Sequence, residues 1–542
     1  MKSITHPLLL FFIVIILLSG CQHTTEKQNE NFSKADKNSI TLLSINDVYR
    51  LQDPSGQDFG GLARVRSIRA QMEQQGADVL MLHAGDFLHP SFNSRIFNGL
   101  GMIDILSQLD GDADAFDNNM IAVFGNHEFD KKRQSQAHLL QKAIDQSQFH
   151  WLDSNIQWQP ETIQSDKLKQ TILRKINGIT IGFFGITTDI QHPEYINGFD
   201  SPDATAQRLV PELRAAGADI VVALTHHWLP ADRALLTLEE AYRPDLIIGG
   251  HEHTRQALMI NDRWIIKADA DAKSMVAVDI SRNEDGAVLI EPRIMTLHSN
   301  IKKDAALDAN IQIWDRNAEI EFCKSKSLPQ DCLNKTYGLT QVELVAEEDE
   351  IRRFETNMGN FLADSTRHAF KDCGADAVMI NAGAIRLNHN IAAHSSINQK
   401  HIEGLFPYST GMYAIRIDGA VLKRMLQHAV TNWTASGHWL ITSGFAFMHV
   451  PELAQAEHVH MYGDDNELSP QREIVAVVPK YLISADTDQD GYTMIDQSMV
   501  VDCTLNGTEL KTIFIDSLAN QPNGIQPVLD RRICNTQRNI CQ

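Results

Sequence analysis

Five short apolar runs, spread over about two hundred residues, each end at a side chain able to ligate a metal ion. Ile40-Thr41-Leu42-Leu43-Ser44-Ile45-Asn46 leads to Asp47, and Val79-Leu80-Met81-Leu82 leads through Gly85 to Asp86. Met120-Ile121-Ala122-Val123-Phe124 leads through Gly125 to Asn126 and His127. Ile220-Val221-Val222-Ala223-Leu224 leads to Thr225-His226, and Leu246-Ile247-Ile248 leads through Gly249-Gly250 to His251 and His253. Runs of this length and apolarity read as buried strands. Stretches with helical spacing lie between them, such as Leu62 to Gln75 and Gln134 to Ile144. The alternation predicts an α/β fold, in which ligands bind at the edge where the strands end. One ligand at a strand end is common by chance. Five in succession are not.

The ligand set is chemically coherent. Carboxylate, amide oxygen and imidazole suit Zn, Mn, Fe or Co, and the absence of thiolates argues against a structural zinc site. Asp86, central in the series, can bridge two ions, and two-metal sites activate water while clamping a phosphoryl oxygen. Within Gly125-Asn126-His127-Glu128-Phe129-Asp130, Asn126 offers a neutral oxygen and His127 an imidazole that can donate a proton. Asp130, three residues on, can hold that ring in one tautomer.

At 542 residues the chain is too long for one core and should divide into two or more domains. Its net charge of −21 argues against nucleic acid or an anionic membrane surface as the main partner, but not against a small phosphate ester held at metal ions. Lys2 followed by the apolar run Leu8 to Leu18 reads as an export signal, too short to span a bilayer. Leu18-Ser19-Gly20-Cys21 resembles the bacterial lipobox, in which the cysteine is acylated. That predicts a signal peptide over 1–20, a polar tether over 21–39 and, with Gln22 after Cys21, an outer-membrane lipoprotein facing the periplasm or the cell surface. The six remaining cysteines suggest disulfides, most simply Cys323–Cys332, Cys534–Cys541 and Cys373–Cys503.

The motifs Asn46-Asp47, Gly85-Asp86, Gly125 to Asp130, Thr225-His226 and Gly249-Gly250-His251-Glu252-His253 resemble those of the calcineurin-like metallophosphoesterases. More closely, they resemble the bacterial 5′-nucleotidase / UDP-sugar hydrolase branch. The resemblance implies a four-layer α/β sandwich over residues 40–298 and a C-terminal α/β nucleotidase domain over 345–542, joined by a linker over 299–344. It implies two divalent metal ions, one held by Asp47, Asp86 and His253, the other by Asp86, Asn126, His226 and His251. His127 then stabilises the transition state or protonates the leaving group, oriented by Asp130. One departure stands out. The family pattern is Asp-x-His at the first strand end, but here Tyr49 follows Asp47-Val48, and a phenol is a far poorer ligand than imidazole. His253, where the branch often has Gln, compensates in part. The first site is therefore expected to be weaker, selective for another ion, or filled only with substrate.

Asn381-Ala382-Gly383-Ala384-Ile385-Arg386 follows the apolar run Ala377-Val378-Met379-Ile380 and resembles the N-G-G-x-I-R turn of the nucleotidase C-terminal domain. There Asn381 and Arg386 would bind substrate, and alanine in place of glycine requires negative φ. By the same resemblance Trp439 and Tyr481 would sandwich the base, and Asp490 would bind ribose hydroxyls. The Asp486-Thr487-Asp488-Gln489-Asp490-Gly491 spacing also matches the start of a calcium loop, but Gln497 stands at its twelfth position.

The reading is an exported phosphoesterase that hydrolyses nucleoside 5′-monophosphates or related nucleotides through a hydroxide activated between two metals. Two alternatives compete: a related hydrolase of cyclic nucleotides, nucleotide sugars or a sulfur ester, and a nucleotide-binding lipoprotein with a degenerate metal site.

Overall fold

The computed structural model describes residues 40–54, 59–431, 433 and 437–538. The expected signal peptide, tether and Cys21 lie outside them. Two sheets form the N-terminal half. One has seven strands in the order Val288–Thr296, Ser274–Arg282, Ile40–Ile45, Asp78–His83, Met120–Val123, His150–Leu152 and Leu168–Lys169. The other has six, in the order Gln256–Ile260, Arg263–Lys267, Leu246–Gly249, Ile220–His226, Ile179–Thr187 and Thr171–Ile176.

The apolar runs are continuous because both faces of each strand are buried. Side chains alternate between the faces. From the first strand, Ile40 and Leu42 pack between the sheets while Leu43 and Ile45 pack under helices. From the other sheet, Ile220, Val222 and Leu224 meet the same inter-sheet core, and Val221 and Ala223 face the helix Pro202–Ala215. Helices Leu62–Gln74, Leu100–Leu106 and Ala137–Gln146 cover the outer face of the seven-stranded sheet. The result is a four-layer α/β sandwich, as the family resemblance implies.

The strand Ile40–Ile45 pairs in parallel with Asp78–His83, and that one in parallel with Met120–Val123. Ile220–His226 and Leu246–Gly249 are also parallel. Their carboxyl ends therefore lie at one edge of the sandwich, and each apolar run delivers its polar residue there.

Within 299–344, the helix Ala305–Ser325 packs on the N-terminal half: Leu307 and Ile311 join its core, and the Trp314 indole donates to Asp104 Oδ2 at 2.6 Å. Asp304 caps this helix, accepting from the amides of Ala306 and Leu307. The C-terminal half has its own core around a five-stranded sheet ordered Leu440–Ser443, Ala377–Asn381, Glu473–Pro479, Gly411–Asp418 and Thr508–Glu509. Helices Asn357–Ala369, Gly419–Val430 and Leu510–Ala519 pack on it. Cys323–Cys332 and Cys373–Cys503 form disulfides. Cys534 is also disulfide-bonded, and its expected partner Cys541 lies outside the described residues.

Candidate active site

The strand ends bring the expected ligands together at the mouth of the sandwich. Carboxylate oxygens of Asp47 and Asp86 and a ring nitrogen of His226 lie within 4.8 Å of one another, all buried. His226 Nε2 is 3.2 Å from Asp86 Oδ2 and 3.3 Å from His251 Nδ1. His253 Nε2 is 3.3 Å from Asp47 Oδ1. Asp47, Asp86, His251 and His253 all take positive φ, from 51° to 88°, a conformation that costs non-glycine residues about 1–3 kcal/mol each. The tight turns at the strand ends explain the glycines beside them. A Cβ at position 125 would collide with the Asp86 carboxylate.

The two ion positions implied by the resemblance differ in how their donors are satisfied. At the second, Asn126 Oδ1 and His251 Nε2 are buried without a hydrogen-bond partner. His226 Nδ1 faces the Ala84 carbonyl at 2.7 Å, which leaves Nε2 as the ligating nitrogen of the neutral ring. Amide oxygen, imidazole and carboxylate are a donor set that a divalent ion satisfies, so these residues fit a metal. At the first, every donor already has a partner. The Tyr49 hydroxyl lies 2.9 Å from Asp86 Oδ2, 3.0 Å from His253 Nε2 and 3.3 Å from Asp47 Oδ1. These residues, as placed, do not fit an ion.

The pocket attracts positive charge. Burial disfavours the charged form of His226, but Asp86 and Asp47 outweigh it and raise its pKa to about 10. Burial likewise opposes charging His253, and the carboxylates of Glu348 and Asp47 raise it to about 9. A metal ion competes with these protons. His127 stands beside the ligands, its backbone amide donating to Asp86 Oδ1 at 2.8 Å and its Nδ1 3.0 Å from Asp130 Oδ1. Burial lowers its pKa, but the Asp130 and Asp86 carboxylates prevail and leave it raised.

A cavity of about 590 Å³ opens over these groups, and both halves of the chain line it. Asp86, Asn126, His127 and His251 form one wall, and Asn381, Arg386, Tyr481 and Asp490 the other. Asn381 Nδ2 donates to Asp490 Oδ2 at 2.7 Å. Arg386 Nε donates to the Gly383 carbonyl at 3.0 Å, while its Nη1 is buried without a partner. Ala382 and Ala384 keep negative φ, as alanine in that turn requires.

Comparison with known proteins agrees with this arrangement. Residues 40–255 match the calcineurin-like phosphoesterase family, and residues 338–497 match the 5′-nucleotidase, C-terminal domain. The N-terminal half of the chain is a calcineurin-like phosphoesterase domain, and the C-terminal half carries a 5′-nucleotidase C-terminal domain. It is 24% identical to the 5′-nucleotidase of Vibrio cholerae over 482 residues, covering 80% of this chain and 82% of that one. It is 22% identical to the 5′-nucleotidase of Rattus norvegicus over 519 residues, covering 85% of each. Among solved structures, the 5′-nucleotidase precursor of Thermus thermophilus superposes with a TM-score of 0.73 at 19% identity, covering 92% of this chain and 99% of that one. The sulfate thiohydrolase SoxB of Thermus thermophilus superposes with a TM-score of 0.67 at 15% identity, covering 93% and 97%. The protein is thus a hydrolase of the phosphoesterase class, acting on small-molecule phosphate esters. Among the described residues, no helix is long and apolar enough to cross a membrane.

One expected substrate residue of this phosphoesterase needs correcting. Trp439 does not line the cavity. Only 1% of it is exposed; it sits in the C-terminal core beside His449, with ring centroids 5.5 Å apart. The reason is its place just before the strand Leu440–Ser443, where its ring turns into the core. Tyr481 does line the cavity, 37% exposed, with its hydroxyl on Asp488 and 3.2 Å from Asp490 Oδ1.

Three residues at the site were not expected from sequence. Glu128 accepts from the amides of Asp86, Phe87, Leu88 and Gly125, and so fixes two strand ends to each other. It lies inside the motif, where the acid between His127 and Asp130 was the available signal. Glu348 accepts from His253 Nδ1 at 2.7 Å, and Arg352 pairs with Glu348 at 2.6 Å. Both lie in the charged stretch around the short helix Glu348–Ile351, Arg352 just after its end, and that stretch reads as solvated surface.

Proposed function

We propose that this protein is an exported, metal-dependent phosphoesterase whose substrates are nucleoside 5′-monophosphates or related nucleotides. The observation that carries the reading is the shared cavity, where the strand-end cluster of one half meets Asn381, Arg386, Tyr481 and Asp490 of the other. A divalent ion at Asp86, Asn126, His226 and His251 would supply Lewis-acid polarisation and water activation when bound.

The chain's own residues do the rest. Asp130 engages His127 Nδ1, so Nε2 is the nitrogen available to donate a proton or hydrogen bond to the leaving oxygen. Arg386 lines the cavity and brings a fixed charge, with an unpartnered Nη1 available to a phosphoryl oxygen. Asp490, held by Asn381, is set to accept from ribose hydroxyls, and Tyr481 offers a ring to the base. Export rests on the Leu18-Ser19-Gly20-Cys21 motif.

A second reading has one observation in its favour. With Trp439 in the core, Tyr481 lacks its expected stacking partner, which suits a hydrolase of smaller phosphate or sulfur esters. A phosphate-release screen over nucleoside monophosphates, cyclic nucleotides, nucleotide sugars and non-nucleotide esters, with Mn, Co and Zn, separates the two. Nucleoside monophosphates should turn over best; a preference for esters without a base overturns the nucleotide reading.

A further inference from the structure

We propose that the Tyr49 hydroxyl takes the place of the first metal ion, so that this phosphoesterase works with a single ion, at Asp86, Asn126, His226 and His251. The inference rests on the phosphoesterase reading above and deepens it.

Three atoms carry it. Asp47 Oδ1, Asp86 Oδ2 and His253 Nε2 are the donors that the family pattern turns toward an ion, and here all three face one phenol oxygen at 2.9 to 3.3 Å. Those are hydrogen-bond distances, about 1 Å longer than bonds to a divalent ion. A hydrogen-bonded oxygen and a ligated ion compete for the same lone pairs. The substitution explains the position. A tyrosine side chain reaches roughly 2 Å beyond an imidazole on the same backbone, about the length of one metal–nitrogen bond. Where a histidine would stop short and ligate, the phenol oxygen arrives where the ion would stand.

Tyr49 is also held there. Its amide donates to Asp271 Oδ1 at 2.9 Å, and only 5% of the residue is exposed. Its ring lies 5.8 Å from that of His127 and 5.3 Å from that of His253, and the Arg386 guanidinium is 5.9 Å from its centroid. His253 is committed at its other side too, since Nδ1 meets Glu348 Oε1 at 2.7 Å. Buried polar groups seek partners, and the two positions differ in that respect. Around Tyr49 each atom has a partner within the protein: the phenol has one proton to donate, and His253 Nε2 also lies 3.3 Å from Asp47 Oδ1. At the neighbouring position Asn126 Oδ1 is orphaned, and His251 Nδ1 faces the Nε2 of His226 at 3.3 Å, two ring nitrogens turned toward each other. One position is closed by the chain itself, and the other calls for an ion.

The test is metal content, measured by mass spectrometry on full-length protein equilibrated with excess Mn and then desalted. Wild type should retain about one ion per chain and Tyr49→His about two. Tyr49→Phe, which leaves the ring in place, should stay at one. Two ions on wild type overturn the proposal. So does a tyrosinate ultraviolet difference band on adding Mn, which would make the phenolate a ligand, or loss of the ion from folded Tyr49→Phe. A folded Tyr49→His that still holds one ion overturns it as well, because the tyrosine side chain would then not be what closes the position. Wild type that holds no ion overturns the metal-dependent reading itself, an outcome distinct from holding two.

Discussion

The Glu348 carboxylate, from the C-terminal half of the chain, lies 2.7 Å from Nδ1 of His253, on the phosphoesterase sandwich. Glu348 also pairs with Arg352 at 2.6 Å, and both acid and guanidinium are buried. The second half therefore reaches the edge of the first where the strand-end polar residues gather, and sets the orientation of one of its histidines.

Glu348→Gln should loosen this junction. Breaking a buried pair leaves charge uncompensated and costs about 3–5 kcal/mol, which should appear as an earlier urea transition. Because Gln still accepts one hydrogen bond at Oε1, the loss should fall at the lower end. An unchanged transition would show that the His253–Glu348 pair does not tie the halves together.

How much of this was legible beforehand follows from what each signal depends on. The strand-end ligands are legible because strands buried on both faces are apolar throughout, so a polar residue at the end of a run is conspicuous. Asp47, Asp86, Asn126, His226, His251 and His253 all stand where that reasoning puts them, at one edge. Glu348 is not legible. It stands in the acidic run Glu347 to Glu350, and nothing in composition separates the acid that turns inward from those that meet water. Trp439 misleads for a related reason, since a large ring suits a core and a stacking platform equally. The place of the Tyr49 oxygen depends on a distance across three strand ends, which no linear pattern encodes.

His127 and Asp86 should separate on mutation. His127→Ala is expected to lower turnover by about 10²-fold or more while the metal stays bound, because the role proposed for it is proton donation. Asp86→Ala should abolish hydrolysis and release metal, since its carboxylate belongs to the proposed donor set of the ion. Mass spectrometry alongside phosphate release reads both. Metal loss from His127→Ala would reassign His127 as a ligand.

Cys21→Ser tests the anchor. With acylation at Cys21, wild type should sediment with membranes and the variant should be released or stay unprocessed. Wild type that is freely soluble, with a mature N-terminus beyond residue 21, rules the lipoprotein out.

Tyr481 and Trp439 should behave differently although both are aromatic. Tyr481→Ala removes a cavity wall and should raise KM for a nucleoside monophosphate by about 1–3 kcal/mol, roughly 5- to 150-fold, with stability little changed. Trp439→Ala empties a core position and should destabilise the protein by about 3–5 kcal/mol. A Trp439→Ala variant of normal stability with a raised KM would return Trp439 to the substrate site.

Asp490 gives the binding reaction a pH dependence of predictable sign. Burial and the adjacent Asp488 raise its pKa to about 6, although Asn381 donates to it. An acid raised on folding binds more protons in the folded state, so between its ordinary value near 4 and about 6 its contribution to stability falls as pH rises. Binding runs the other way. Accepting from two ribose hydroxyls suits the carboxylate, and the protonated acid surrenders one acceptor to its own O–H. KM for a nucleoside monophosphate should therefore climb as pH drops through about 6. A ribose-free phosphate ester, measured over the same range, should show no such rise and so controls for titration at the metal edge. Asp490→Asn, neutral at every pH, should hold the raised KM throughout. If wild type and Asp490→Asn give parallel KM profiles across pH 5 to 7, Asp490 is not the group that reads the sugar.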